Sequence, residues 1–160
     1  MRTIDTDDSG NVHILGSIRA AGFTLASGGT PLLASALGHP HAKVISFSGI
    51  QSDDTRVIHV VKGATGTIVS FSAGAITACV GDASVDVDLY LNGVSVLSAA
   101  ITLDNTDSDY DVTEGTLSTT AVTSDDVLSV VVTIDNGTYP AGVARGLFAE
   151  LRVNEDADAS

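Results

Sequence analysis

From Ser84 to Thr133 the chain carries two alternating apolar segments, separated by an Asn92-Gly93 pair and an acidic loop. Val85, Val87, Leu89 and Leu91 alternate with Ser84, Asp86, Asp88 and Tyr90, and Leu128, Val130, Val132 and Ile134 alternate with Ser129, Val131 and Thr133. A period of two puts one set on a buried face and the other in water, the pattern of a half-buried antiparallel sheet. Asn-Gly flanked by such strands is a strong hairpin signal, because a type I′ turn needs positive φ at both central residues.

The regular pattern begins near Arg56. Val57 to Val61 and Thr67 to Phe71 read as strands joined by Gly63-Ala64-Thr65-Gly66, and Ile76 to Val80 follows a small-residue break at Ala73-Gly74. Val94 to Leu97 and Ala99 to Leu103 continue the sheet beyond the hairpin. After a turn at Asp135-Asn136-Gly137, the strand Val143 to Val153 directs Leu147, Ala149, Leu151 and Val153 one way and Phe148, Glu150 and Arg152 the other. Seven or eight closely spaced strands without helical patterns between them predict an all-β fold, an antiparallel β-sandwich or jelly roll. At 160 residues the chain suffices for one domain that buries roughly 70% of its extended surface.

Residues 1–55 lack sustained periodicity and read as a weakly structured N-terminal segment. Asn11 to Leu15 and Lys43 to Phe47 are short strand candidates, with breakers at Ser27-Gly28-Gly29 and Gly38-His39-Pro40. Thr30, Pro31 and a closing Gly38 have the signals of one short helix, with Leu32, Leu33, Ala36 and Leu37 on one face. So short a helix needs a surface to dock on. The expected division is residues 1–55 as an arm, 56–153 as the sandwich, and the small, acidic residues 154–160 as a disordered tail.

The net charge of -13 is uneven. Residues 1–56 hold four basic and five acidic side chains, residues 57–160 three basic and fifteen acidic. A body this acidic repels phosphate backbones and anionic lipid, which argues against nucleic-acid and membrane-surface partners. Cys79, the one cysteine, has no internal disulfide partner and sits in an apolar stretch that suits a buried thiol. Met1 to Gly16 lacks the apolar core of a signal peptide, so folding in a cytoplasm is expected. Asn136-Gly137-Thr138 matches a glycosylation acceptor and, more simply, a hairpin turn.

Little in the sequence carries chemistry. Asp104, Asp107, Asp109 and Asp111 share one loop and offer the oxygen ligands calcium takes, but the loop lacks the glycine and glutamate of an EF-hand. His13, His39, His41 and His59 make a transition-metal site only if the fold brings three of them together, and with no Cys or carboxylate at a recognisable companion spacing they read as surface histidines. There is no Gly-x-Ser-x-Gly elbow and no phosphate loop, so neither an enzyme nor a cofactor is expected. Tyr90, Tyr110 and Tyr139 are the only ring platforms besides phenylalanine, too few to favour a dedicated lectin.

Gly81 to Leu89, Val96 to Asp104, Leu128 to Thr133 and Gly142 to Leu147 together resemble the capsid decoration, or cement, proteins of tailed bacteriophages. The resemblance spans roughly residues 57–153 and rests on strand and turn patterns. It implies a sandwich or jelly-roll body, usually trimeric, seated on the outside of an icosahedral head against the major capsid protein, with no catalytic residue. Under it, the protein is made in the host cytoplasm and ends on the virion surface. Val127, Val131 and Phe148, apolar on wet faces, become candidates for the oligomer interface. Phe23, Leu25, Pro31, Leu32 and Leu33 become candidates for an arm that orders on the capsid, where three linked copies gain by avidity. The alternative is a host-surface or glycan-binding module of a virion, using Tyr90 or Tyr139.

Overall fold

Strands that are apolar at every second position need an opposing surface, and the chain supplies it as two antiparallel sheets packed face to face. The computed structural model describes residues 5–6, 12–13, 38–48, 52–138 and 142–156. Its strands are β1 (Asp5–Thr6), β2 (Val12–His13), β3 (Gly38–Phe47), β4 (Asp54–Val60), β5 (Thr65–Thr77), β6 (Ser84–Leu91), β7 (Val94–Ser95), β8 (Ile101–Leu103), β9 (Val112–Glu114), β10 (Ala121–Thr123), β11 (Val127–Asp135) and β12 (Arg145–Asp156). The first sheet runs β10-β5-β12-β3 with β9 also on β5; the second runs β4-β11-β6-β7 with β8 also on β6. β1 and β2 form a separate pair. The fold is the all-β antiparallel sandwich that the alternation predicts.

The inward rows are those read from the period of two. Val85, Val87 and Leu89 of β6, Leu128, Val130 and Val132 of β11, and Leu147, Ala149, Leu151 and Val153 of β12 are all buried, with Phe47, Val61, Ile68 and Phe71 between the sheets. Asn92 and Gly93 take φ of 51° and 85°, the left-handed pair of a type I′ turn. The Asn92 side chain also ties the hairpin to the start of β11: its Nδ2 donates to Asp126 Oδ1 at 2.6 Å, and its Oδ1 accepts from Val127 N at 2.9 Å.

Three expectations are corrected. Ala73-Gly74 is not a break, since β5 continues to Thr77 and Gly74 pairs with Phe148 on one side and Val112 on the other. A Cβ at Gly74 would collide with the Asp111 carbonyl oxygen and stand 2.9 Å from the Phe148 ring, so this glycine marks a close approach. Gly38-His39-Pro40 is not a breaker either: it opens β3, whose ten residues pair with β12. Pro40 is tolerated because β3 is an edge strand and leaves half its N–H groups out of the ladder. The sandwich therefore takes in Gly38–Phe47 from the segment expected to be an arm. Finally, β12 runs on to Asp156, so Asn154, Glu155 and Asp156 belong to a strand and not to a disordered tail. Residues 30–37 of the expected helix lie outside the described residues.

The two lateral sides of the sandwich close differently. On one, backbone bonds link the sheets: Leu97 bridges Leu117, Ser98 N donates to Thr116 O at 2.8 Å, and Ser118 N donates to Val96 O at 2.8 Å. On the other, β3 and β4 are the edges, and side chains make the connection. The Arg56 guanidinium lies 4.6 Å from the centre of the Phe47 ring and donates from Nη1 to Ser46 O at 3.0 Å. Gly74→Ala should lower unfolding free energy by about 1–3 kcal/mol, the usual cost of overpacking, measured by urea denaturation at neutral pH.

Candidate functional site

Continuing the period of two along β12 past Leu151 and Val153 places Glu155 on the inner face. It is 4% exposed and is the only buried charged residue among those described. A bare carboxylate there would be very costly, and this one is fully partnered. Oε2 accepts from Lys62 N at 2.9 Å and Gly63 N at 2.6 Å, and Oε1 is hydrogen-bonded to His59 Nε2. His59 is on β4, in the opposite sheet, with a side chain 8% exposed. Lys62 and Gly63 lie in the crossover that carries the chain from β4 to β5. The crossover fits tightly: a Cβ at Gly63 would stand 2.6 Å from Asp156 O.

His41 completes the cluster. It faces Val153 across the β3–β12 ladder, its Nε2 is 3.9 Å from Glu155 Oε1, and its ring centre is 5.3 Å from that of His59. His39 occupies the register position opposite Glu155 and is exposed. Burial alone would push the Glu155 carboxyl up, but the Gly63 amide, the His59 side chain and the Lys62 amide outweigh it and hold it at about 2. The ionised form is thus the one the fold selects.

Of the other residues singled out in the sequence, the acidic-loop set is committed to backbone hydrogen bonds, three within the loop and one, from Asp109, to the segment after β5. Asp104 Oδ1 accepts from Thr106 N and Oγ1, both at 2.7 Å, and Asp107 Oδ2 accepts from Asp104 N at 2.8 Å. Asp109 Oδ1 accepts from Ala78 N at 2.9 Å, and Asp111 Oδ2 accepts from Ser108 N at 3.0 Å. Asp104, Asp107 and Asp111 serve as turn-forming acceptors, and Asp109 ties the loop to the chain just past β5. Val127 and Val131 are half-buried on the outer face of the second sheet and Phe148 on that of the first, so the three do not form one patch. Tyr90 is half-buried on β6, and Tyr110 is exposed in the loop before β9. Tyr139, Phe23, Leu25, Pro31, Leu32 and Leu33 lie outside the described residues. His13 is on β2 opposite Asp5. Cys79 is buried, accepts from Ala144 N at 3.3 Å, and has its thiol pushed up by burial, which is the profile of an inert core thiol.

A shallow groove of about 300 Å³ runs over the outer face of the first sheet, lined by Ser70, Ser72, Val112, Glu114, Glu150 and Arg152. Arg152 Nε donates to Glu150 Oε1 at 2.7 Å across its wall. Nothing local marks Glu155 in the sequence as special, and its one signal is that it stands two residues beyond Val153 in an inward row. The chain matches no protein-family model and no curated protein.

Glu155 is held at about 2 in the fold against an ordinary 4.5. A lowered carboxyl contributes stability in full above the unfolded value, and loses it as pH falls toward the folded value. The difference corresponds to about 3 kcal/mol. Glu155→Gln should therefore be destabilised by that order at pH 7, and the gap to wild type should close as pH falls from 4.5 toward 2. Urea titrations of both proteins across that window measure it.

Proposed function

We propose that the chain is a structural virion protein, a capsid decoration protein that sits on the outside of a phage head as a trimer and stabilises contacts between subunits of the major capsid protein. It does so by binding, without covalent chemistry. The observation that carries this reading is where the four resembling segments lie. Gly81 to Leu89 takes in most of β6, Val96 to Asp104 takes in β8, Leu128 to Thr133 lies in β11, and Gly142 to Leu147 leads into β12. β6, β8 and β11 are neighbours in the second sheet. The outer face of that sheet presents Asp86, Asp88 and Asp135 among Ser84, Ser129, Thr102 and Thr133, with Val57, Tyr90 and Val131 between them.

The outer face of the first sheet is poorer in unpaired charge. Val44, Ser72, Gly74, Val112 and Phe148 share it, with Glu150 and Arg152 paired to each other and a further carboxylate, Glu114, beside them. In the decoration reading this face turns toward the head. The N-terminal segment, with Phe23, Leu25, Pro31, Leu32 and Leu33 as its capsid contacts, leads into edge strand β3, so an arm anchored on a capsid subunit would load the sandwich beside Glu155. The glycan-binding alternative has its locus in the groove on the same face, where two carboxylates, two hydroxyls and a guanidinium converge, although no aromatic ring lines it.

Mass spectrometry of gradient-purified particles from the source of the sequence tests the proposal. The tryptic peptide spanning residues 146–152 should be present in stoichiometric ratio to the capsid protein, and its absence from particles would refute a virion role. Sedimentation equilibrium should give three times the 16.2 kDa chain mass, independent of concentration. A glycan-array signal lost on Arg152→Ala, with no peptide in the particles, would favour the alternative.

A further inference from the structure

The cluster at the open side contains more donor chemistry than a fastening between sheets requires. We propose that His41, His59 and Glu155 form a binding site for a divalent transition-metal ion of the zinc class. Two imidazoles and a carboxylate are a set such ions take, with water completing a tetrahedron. Here the three donors come from three strands, β3, β4 and β12, and from both sheets. The two Nε2 atoms approach the same oxygen, Glu155 Oε1. The other oxygen is held by the Lys62 and Gly63 amides, which fix the carboxylate plane and leave Oε1 as the ligand, as outer-shell bonds do at metal sites.

As they stand, no three His, Cys, Asp or Glu side chains among the described residues are at coordination spacing. The adjustment is a closer approach by His41 and a retreat of the buried His59, whose Nε2 is in hydrogen-bond contact with Oε1. Two ligands at about 2.1 Å on a tetrahedral ion lie about 3.4 Å apart, and His41 Nε2 is 3.9 Å from Oε1. His41 has room to make that movement, being on an edge strand with a side chain 36% exposed. His59 would exchange its hydrogen bond to Oε1 for the ion. His39 lies two residues from His41 on the same face of β3, at the register position opposite Glu155, and is exposed. The acidic loop offers carboxylates alone, with no imidazole among its four candidate ligands, which suits a hard cation and not one of the zinc class. The site does not depend on the decoration role.

Isothermal titration of the full chain with zinc chloride at pH 7.5, after dialysis against chelator, tests the proposal. One ion should bind per chain. His41→Ala should weaken binding by at least the roughly tenfold that loss of an outer-shell partner costs, while Asp104→Ala in the acidic loop leaves it unchanged. Zinc should raise the melting temperature of wild type and of Asp104→Ala but not of His41→Ala. No saturable binding, binding unaffected by His41→Ala, or binding abolished by Asp104→Ala would each overturn the assignment. Since His41 is partly exposed and makes no close ladder substitution, His41→Gln serves as a second folded variant with the same expected loss.

Discussion

The carboxylate of Glu155 joins parts of the chain that nothing else holds in the same way. It belongs to β12 in the first sheet, bonds to His59 in the second, and accepts the Lys62 and Gly63 amides of the crossover between them. A β-sandwich closed by backbone bonds on one side still has to be closed on the other, or its two free edges splay. Here that is done by Arg56 over Phe47 at one level and by Glu155 with His59 at another. Removing one partner of such a buried pair is far costlier than never having had it, because the survivor stays buried and uncompensated.

The same side shows how the fold deals with unpaired strands. Lys43 on β3 stands opposite inward-facing Leu151, and Arg56 and Asp54 on β4 stand opposite inward-facing Val130 and Val132. Charged residues at inward positions, together with Pro40, make these edges poor templates for strand addition. This bears on assembly. A trimer of this protein would have to use faces, not edge-to-edge pairing, and its apolar candidates Val131 and Phe148 lie on opposite faces. The two faces also differ in charge, Asp86, Asp88 and Asp135 lying on that of the second sheet and the Glu150–Arg152 pair on that of the first.

The inner rows of β6, β11 and β12 were legible in the sequence because burial on one face imposes a period of two that each residue reports locally. The Asn92-Gly93 turn was legible because only a few residue types accept its φ values. What escaped depends on neighbours distant in sequence. Pro40 and Gly38 look like breakers until β3 is known to be an edge, and Gly74 looks like a turn until the Asp111 carbonyl is known to press against it. Glu155 lies 96 residues from His59 and 92 from Gly63, so no local window contains its partners, and its place near an acidic chain end suggests a tail. The histidines read as surface residues because no carboxylate stands near them in sequence; the glutamate that bonds His59 and lies 3.9 Å from His41 Nε2 comes from the far end of the chain.

Hydrogen–deuterium exchange on wild type and Glu155→Gln, followed peptide by peptide at neutral pH, tests most directly whether one carboxylate closes the open side. The account predicts faster exchange confined to β3, β4 and the crossover at residues 61–64, with β6, β8 and the Leu97–Leu117 side unchanged. Uniform acceleration across both sheets, or protection of β3 and β4 equal to wild type, would contradict it.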